Sequence, residues 1–253
     1  MSRIRSFCLL ICLVFSASSA WAGWVIQYAG GGAMSPSASY IQDNKMRQDM
    51  GGMMMIMDVN KGWVYYVNPN HRTYWGGPAS EIRSTGQAEA RKTMEEMMKN
   101  LPPDQREAMQ KAMGQVGRKE AEAPKQFNVK VTKTGKSATI AGYKTEEYQI
   151  LVEGQPFMEV WIAPKIDVSK DIDAKKMTAM MGSLSPQDSG HNPFASPEVQ
   201  ALWQKGYPLR QTLHFMGQAT TVEAQKVEKK SLPSSDFSVP SGYRKVGFME
   251  VMR

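Results

Sequence analysis

The chain has 253 residues, with 31 lysines and arginines against 24 aspartates and glutamates, for a formal charge of +7. Its basic residues nowhere cluster with interleaved aromatics, which excludes a nucleic-acid surface, and the length suits one domain with a sizeable core. Both cysteines, Cys8 and Cys12, sit in the N-terminal segment, which excludes disulfides and thiolate metal sites from the rest of the chain.

Arg3 and Arg5, the apolar run Phe7 to Ala17, and Ala20-Trp21-Ala22 read as a secretory signal peptide cleaved after Ala22. The run is too short for a spanning helix, so no stable membrane anchor is expected. What remains, residues 23–253, is expected to be a single soluble domain, periplasmic or secreted, carrying +5 once Arg3 and Arg5 are lost from the +7.

Lys45, Arg47 and Asp49 alternate with Met46, Gln48 and Met50, the period of two of a strand with one wet face. Gly51-Gly52 then turns the chain into the apolar run Met53 to Met57. Asp58 to Gly62 is a second turn, leading into Trp63-Val64-Tyr65-Tyr66-Val67, where aromatics and valines favour a strand. From about 86 to 117 the period becomes helical. Met94, Met97, Met98 and Leu101 follow i, i+3, i+4, i+7, Pro102-Pro103-Asp104 interrupts, and Met109, Ala112, Met113 and Val116 repeat the spacing, which predicts an inserted helical hairpin.

Strands are predicted again over Phe127–Thr132, Thr139–Val152 and Phe157–Ala163. A third helix, from about Ser169 to Leu184, carries Met177, Met180, Met181 and Leu184 at the same spacing. Residues 185–197, rich in Ser, Pro, Asn and Gly, read as a mobile loop, followed by a short helix from Pro197 to Lys205. Leu209–Met216 and Ala219–Lys229 form a predicted hairpin, and Phe237, Pro240 and Tyr243 mark an aromatic closing segment.

The histidines, His71, His191 and His214, are not spaced as a metal pair, and no nucleophile elbow, phosphate loop or paired-carboxylate motif occurs. The expectation is a binding protein, not an enzyme, without a cofactor. The twenty methionines carry three competing readings. Flexible thioethers adapt to apolar ligands of varied shape, they suit Cu(I), and they also fill ordinary cores. The metal reading rests on Met50, Met53 and Met54, or on Met94, Met97 and Met98. The third reading is an interaction module with a self-filled core. Trp63, Tyr65, Trp161 and Trp203 are candidates to line a cavity, while Lys45 and Arg47 face the polar side of their strand.

Several phrases form an ordered series: Asn44-Lys45-Met46-Arg47-Gln48-Asp49, Met55-Ile56-Met57-Asp58 with Trp63 to Pro69, Ile140-Ala141-Gly142-Tyr143-Lys144, Val160-Trp161-Ile162-Ala163, Gly206-Tyr207-Pro208-Leu209, and Asp236 to Tyr243. In this series the chain resembles a family of bacterial exported proteins of unknown function, itself similar to the LolA-like and LolB-like lipoprotein carriers. The resemblance implies an α+β fold, a strongly curved antiparallel sheet forming an incomplete barrel wrapped around Met-rich helices, with an apolar cavity between them. The cavity and lid candidates are then Met46, Met54, Trp63, Tyr65, Met94, Met97, Met98, Met109, Met113, Trp161, Met177, Met180 and Met181. The implied ligand is a lipid, an acyl chain or an apolar segment, with an envelope protein as a possible partner.

Overall fold

The computed structural model describes residues 22–30, 36–99, 101, 102, 105, 127–184, 193–215 and 217–253. The expected signal peptide up to Trp21, Met109, Met113, His191 and most of the expected loop at 185–197 lie outside the described residues. The first six strands are β1 (Gly23–Gly30), β2 (Pro36–Gln42), β3 (Lys45–Met50), β4 (Met53–Asp58), β5 (Trp63–Asn68) and β6 (Thr73–Pro78). Helix α1 (Ile82–Lys99) follows, then β7 (Val129–Ile140), β8 (Tyr143–Val152) and β9 (Gln155–Ala163). Two short helices, α2 (Ala174–Leu184) and α3 (Pro197–Trp203), precede β10 (Tyr207–Phe215) and β11 (Gln218–Lys230). The two-residue β12 (Arg244–Lys245) and the one-turn α4 (Phe248–Val251) complete the chain.

All twelve strands belong to one sheet in the order β12-β6-β5-β4-β3-β2-β1-β11-β10-β9-β8-β7. This order is two antiparallel meanders, β1–β6 and β7–β11, fused where β1 pairs with β11, Gly23 opposite Lys230. Four hairpins share one device. Asp43-Asn44, Gly51-Gly52, Ala141-Gly142 and Glu153-Gly154 are two-residue loops with positive φ at both positions, the turn whose twist matches that of its flanking strands. The sheet coils far enough that β7 and β11, with three strands between them in the pairing order, approach within 8 Å, yet they do not pair and the sheet stays open.

Alternation divides the apolar residues between two faces. On one, Ile26, Ile41, Met57, Val64, Leu209 and Ala224 form the main core with Ile166 and Ile172 of the 164–173 loop and Met180 of α2. On the other, Val25, Ile56 and Val67 lie under Leu232 and Phe237 of the C-terminal segment, while Ile150, Val160 and Ile162 lie under Val199 and Leu202 of α3. Gln42 clamps that C-terminal segment, accepting from the Leu232 amide at 2.8 Å and donating to its carbonyl at 3.1 Å. Ser196 caps α3 through the Val199 amide, with Pro197 supplying the preset first turn.

The expected α+β half-barrel wrapped around Met-rich helices is therefore corrected to a mostly β architecture, one large open sheet with a few short helices lying against it. The physical reason lies in the central strands. Met53 to Met57 alternate between two covered faces, as a strand buried on both sides must, and each face is filled by a different peripheral segment. Helix α1 contributes no buried residue at all. The helix expected from Ser169 begins at Ala174, because Asn44 takes up the preceding loop: its amide donates to the Asp171 carbonyl at 2.7 Å, and its side chain accepts from the Asp173 amide at 2.6 Å.

Candidate functional site: a polar ladder across the second meander

Strand register aligns charged and aromatic side chains into a transverse row. Glu147 of β8 is opposite Trp161 of β9, Trp161 opposite Arg210 of β10, and Arg210 opposite Glu223 of β11. At the β7 end, a bulge around Thr134 to Lys136 brings two more groups in. The Thr134 hydroxyl donates to a Glu147 carboxylate oxygen at 2.6 Å, and the Lys136 ammonium lies 3.1 Å from the same carboxylate. Glu147 is only 3% exposed, so these two partners stabilise a charge that burial alone would expel.

Arg210 is held from two sides. Its guanidinium carbon sits 5.0 Å above the centre of the Trp161 ring, and its Nε donates to Glu223 at 2.5 Å. One row along the same strands lie Gln149, Glu159, Thr212 and Thr221, again in direct register. The Thr212 and Thr221 hydroxyls are 2.9 Å apart, and His214 Nε2 is 3.5 Å from a Glu159 carboxylate oxygen. Glu159, His214, Arg210 and Glu223 are each about one-third exposed, so solvent reaches the ladder between them.

The first meander has no such row. Its stacked arginine, Arg47, lies 4.8 Å from the Tyr40 ring centre but spends both fork arms on Asp49, at 2.7 and 2.9 Å. Burial weakens the Arg47 proton's hold, and the hydrogen bond and charge of Asp49 more than reverse it, so its pKa rises above the usual guanidinium value. Deeper in, the Tyr28 hydroxyl donates to that of Tyr207 at 3.1 Å with Ser39 alongside, and burial pushes both phenols above their ordinary pKa. This cluster is enclosed by the main core; the two phenols pair with each other, while the buried Ser39 hydroxyl has no partner among the described residues.

The sequence candidates are dispersed. Met46 and Trp161 pack against the main core, as do Met177 and Met180, whereas Met54 and Tyr65 pack on the opposite face of the sheet. Trp63 stacks at a tilt on Tyr65, ring centres 6.0 Å apart. Met181 and Met97 are exposed, by 46% and 52%. Met94 and Met98 line a hollow of about 350 Å³ on α1 with Ala90, Arg91 and Glu95. Of the alternative metal set, Met50 and Met53 are cross-strand partners, while Met54, the next residue, points to the other face. Trp203, the last residue of α3, packs partly buried against the second-meander cluster, and His71 is exposed in the β5–β6 turn.

Among the described residues no group of three or more histidine, cysteine or carboxylate side chains converges as a metal site, and no helix is long and apolar enough to cross a membrane. The sequence reading missed Glu147, Glu159, Arg210, His214 and Glu223. Their only signal was polar alternation within four separate strands, which any wet sheet face also produces.

No curated protein matches the chain. Two solved structures of PNGF-II, in space groups C2 and P21, are each 11% identical to it, with TM-scores of 0.38 and 0.39. Those alignments cover 91% of this chain and 32% of theirs, so the chain spans about a third of their length. A family described as a domain of unknown function, DUF4412, matches residues 88–243, a span that holds every member of the ladder. The chain, matched over more than half its length, belongs to the DUF4412 family.

Proposed function

We propose that this is a non-catalytic binding module whose interior is filled by its own side chains and whose recognition surface is the polar ladder of β7–β11. One observation carries the reading. A sheet face needed only for packing would present aliphatic or small polar side chains, whereas this face aligns a buried carboxylate, a stacked arginine and further half-exposed charges in two adjacent registers. Ordering and partly desolvating such groups works against stability, and that expense is characteristic of recognition sites. Export through the N-terminal segment would place the module in the cell envelope, where it would meet polar ligands and protein partners.

An apolar-ligand carrier similar to the LolA-like proteins is the second reading, favoured by the hollow that Met94 and Met98 line on α1. Amide NMR of the isotope-labelled protein separates the two. Titration with N-acetylated amino acids, short peptides and cello-oligosaccharides should move signals of Glu147, Glu159, Thr212 and Glu223. Titration with monomeric oleate should instead move Ala90 to Met98 if the carrier reading holds. Silence of β8–β11 to every polar probe would remove the first reading.

A further inference from the structure

The two stacked arginines differ in what they leave unused. Arg47 gives Nε and Nη2 to the two oxygens of Asp49, a closed fork-to-fork pair. Arg210 gives only Nε to Glu223, and its Nη1 and Nη2 groups have no partner among the described residues. Its guanidinium is nevertheless fixed in orientation by the Trp161 ring beneath and Glu223 beside it, and 30% of the side chain remains exposed. A guanidinium held in this way loses little further conformational freedom when it binds.

We infer that the Nη edge of Arg210 is an oxyanion subsite, which takes a carboxylate or other bidentate oxyanion of the ligand. The inference rests on the ladder being the recognition surface and names the chemistry read there. A planar carboxylate matches the two parallel N–H groups in spacing and charge. The adjoining row sets the rest of the ligand. The Thr212–Thr221 hydroxyl pair and the Glu159 carboxylate stand one register away, roughly 7 Å along the strands, where they would accept from an amine or hydroxyl. The ligand class is thus a carboxylate with a donor group a few bonds away, as in short peptides and hydroxy or amino acids. No bond is made or broken.

The test is side-chain guanidinium NMR of the full-length protein, following the Nε–H signals of Arg210 and Arg47 together. N-acetylglycine should shift the Arg210 signal saturably and leave Arg47 in place, and N-acetylglycine amide, which lacks the charge, should shift neither. Arg210→Lys keeps the charge without the fork and should weaken N-acetylglycine binding by about tenfold or more, read from the Thr212 and Glu159 amides. Inorganic phosphate forms a second arm. A response to phosphate but not to N-acetylglycine would retain the oxyanion subsite and assign it to phosphoryl ligands. Equal movement of Arg47 and Arg210 would mark simple ionic screening and overturn the subsite. So would an immobile Arg210 signal up to about 100 mM of both anions, weaker than any millimolar site. If neutral oligosaccharides still moved the ladder amides in that case, the binding reading would stand and only the subsite would fall.

Discussion

The two meanders use the same two-residue turns and antiparallel pairing, but they dispose of their faces differently. In β1–β6 both faces are covered by apolar segments, the 164–173 loop and α2 on one side and residues 232–243 on the other. In β7–β11, α3 covers one face; on the other, the main core reaches Ala163, Leu209 and the Trp161 ring, and the polar rows run on from there to Glu159 and His214. The difference separates a supporting half from a half that keeps a polar face open. Function in a sheet of this kind is sought where covering stops.

The sharpest way to test the division is to damage the supporting half. Ile41 is fully buried at the centre of the main core, and Ile41→Ala should cost about 2–5 kcal/mol, read as a drop in the urea midpoint with an unchanged slope. A loss under about 1 kcal/mol would mean that the first meander is not the support. A smaller effect is expected where α1 meets the C-terminus. Both oxygens of Glu89 accept from the α4 N-terminus, the Phe248 amide at 2.9 Å and the Met249 amide at 2.8 Å. Glu89→Ala should cost about 1 kcal/mol and speed amide exchange in α1 and α4 while β8–β10 keep their protection. Uniform acceleration would show instead that α1 is integral to the core.

A pH series probes the junction between the halves. Burial raises the Asp171 carboxyl above its ordinary 3.8, partly offset by the nearby Lys229 charge. The folded chain therefore holds this proton more tightly than the unfolded one. The group's contribution to stability is complete below about pH 3.8 and is lost as pH rises through the raised value. Asp171→Asn removes the charge while keeping the shape of the side chain. It should be more stable than the parent near neutrality by up to about 1 kcal/mol, the gap closing as the solution is acidified. A gap that widened on acidification would reverse the assignment.

The smallest change is expected in the ladder itself. Glu147→Leu leaves Lys136, already 70% exposed, free in water, so the stability read from urea unfolding should change by less than about 1 kcal/mol in either direction. A loss of about 3 kcal/mol would make the ladder part of the support and erase the contrast between the meanders.

Local chemistry made much of the fold legible. The Lys45 to Met50 alternation, the Gly51-Gly52 turn and the Trp63 to Val67 run each became the element their residues favour. What local pattern could not convey was coverage. All six residues of β3 are half-buried, including Lys45, Arg47 and Asp49, because segments distant in sequence shield its polar side as well. The methionine stripes misled for a related reason: identical spacing yields Met180 in the core and Met97 in solvent, since only tertiary packing selects which stripe is buried. The ladder was invisible because no single strand contains it. Glu147, Trp161, Arg210 and Glu223 meet only after three strand registers are set, one of them across the long connection between β9 and β10.

The fusion of the meanders also dictates when the molecule can exist. β1 is among the first segments to leave the ribosome, yet its partner β11 and the segment that covers Val25 and Ile56 are made near the end. Until then β1 presents an unpaired edge and an uncovered apolar face, a slow, long-range topology exposed to mispairing. Closure of the seam between the meanders is thus deferred until synthesis is nearly complete.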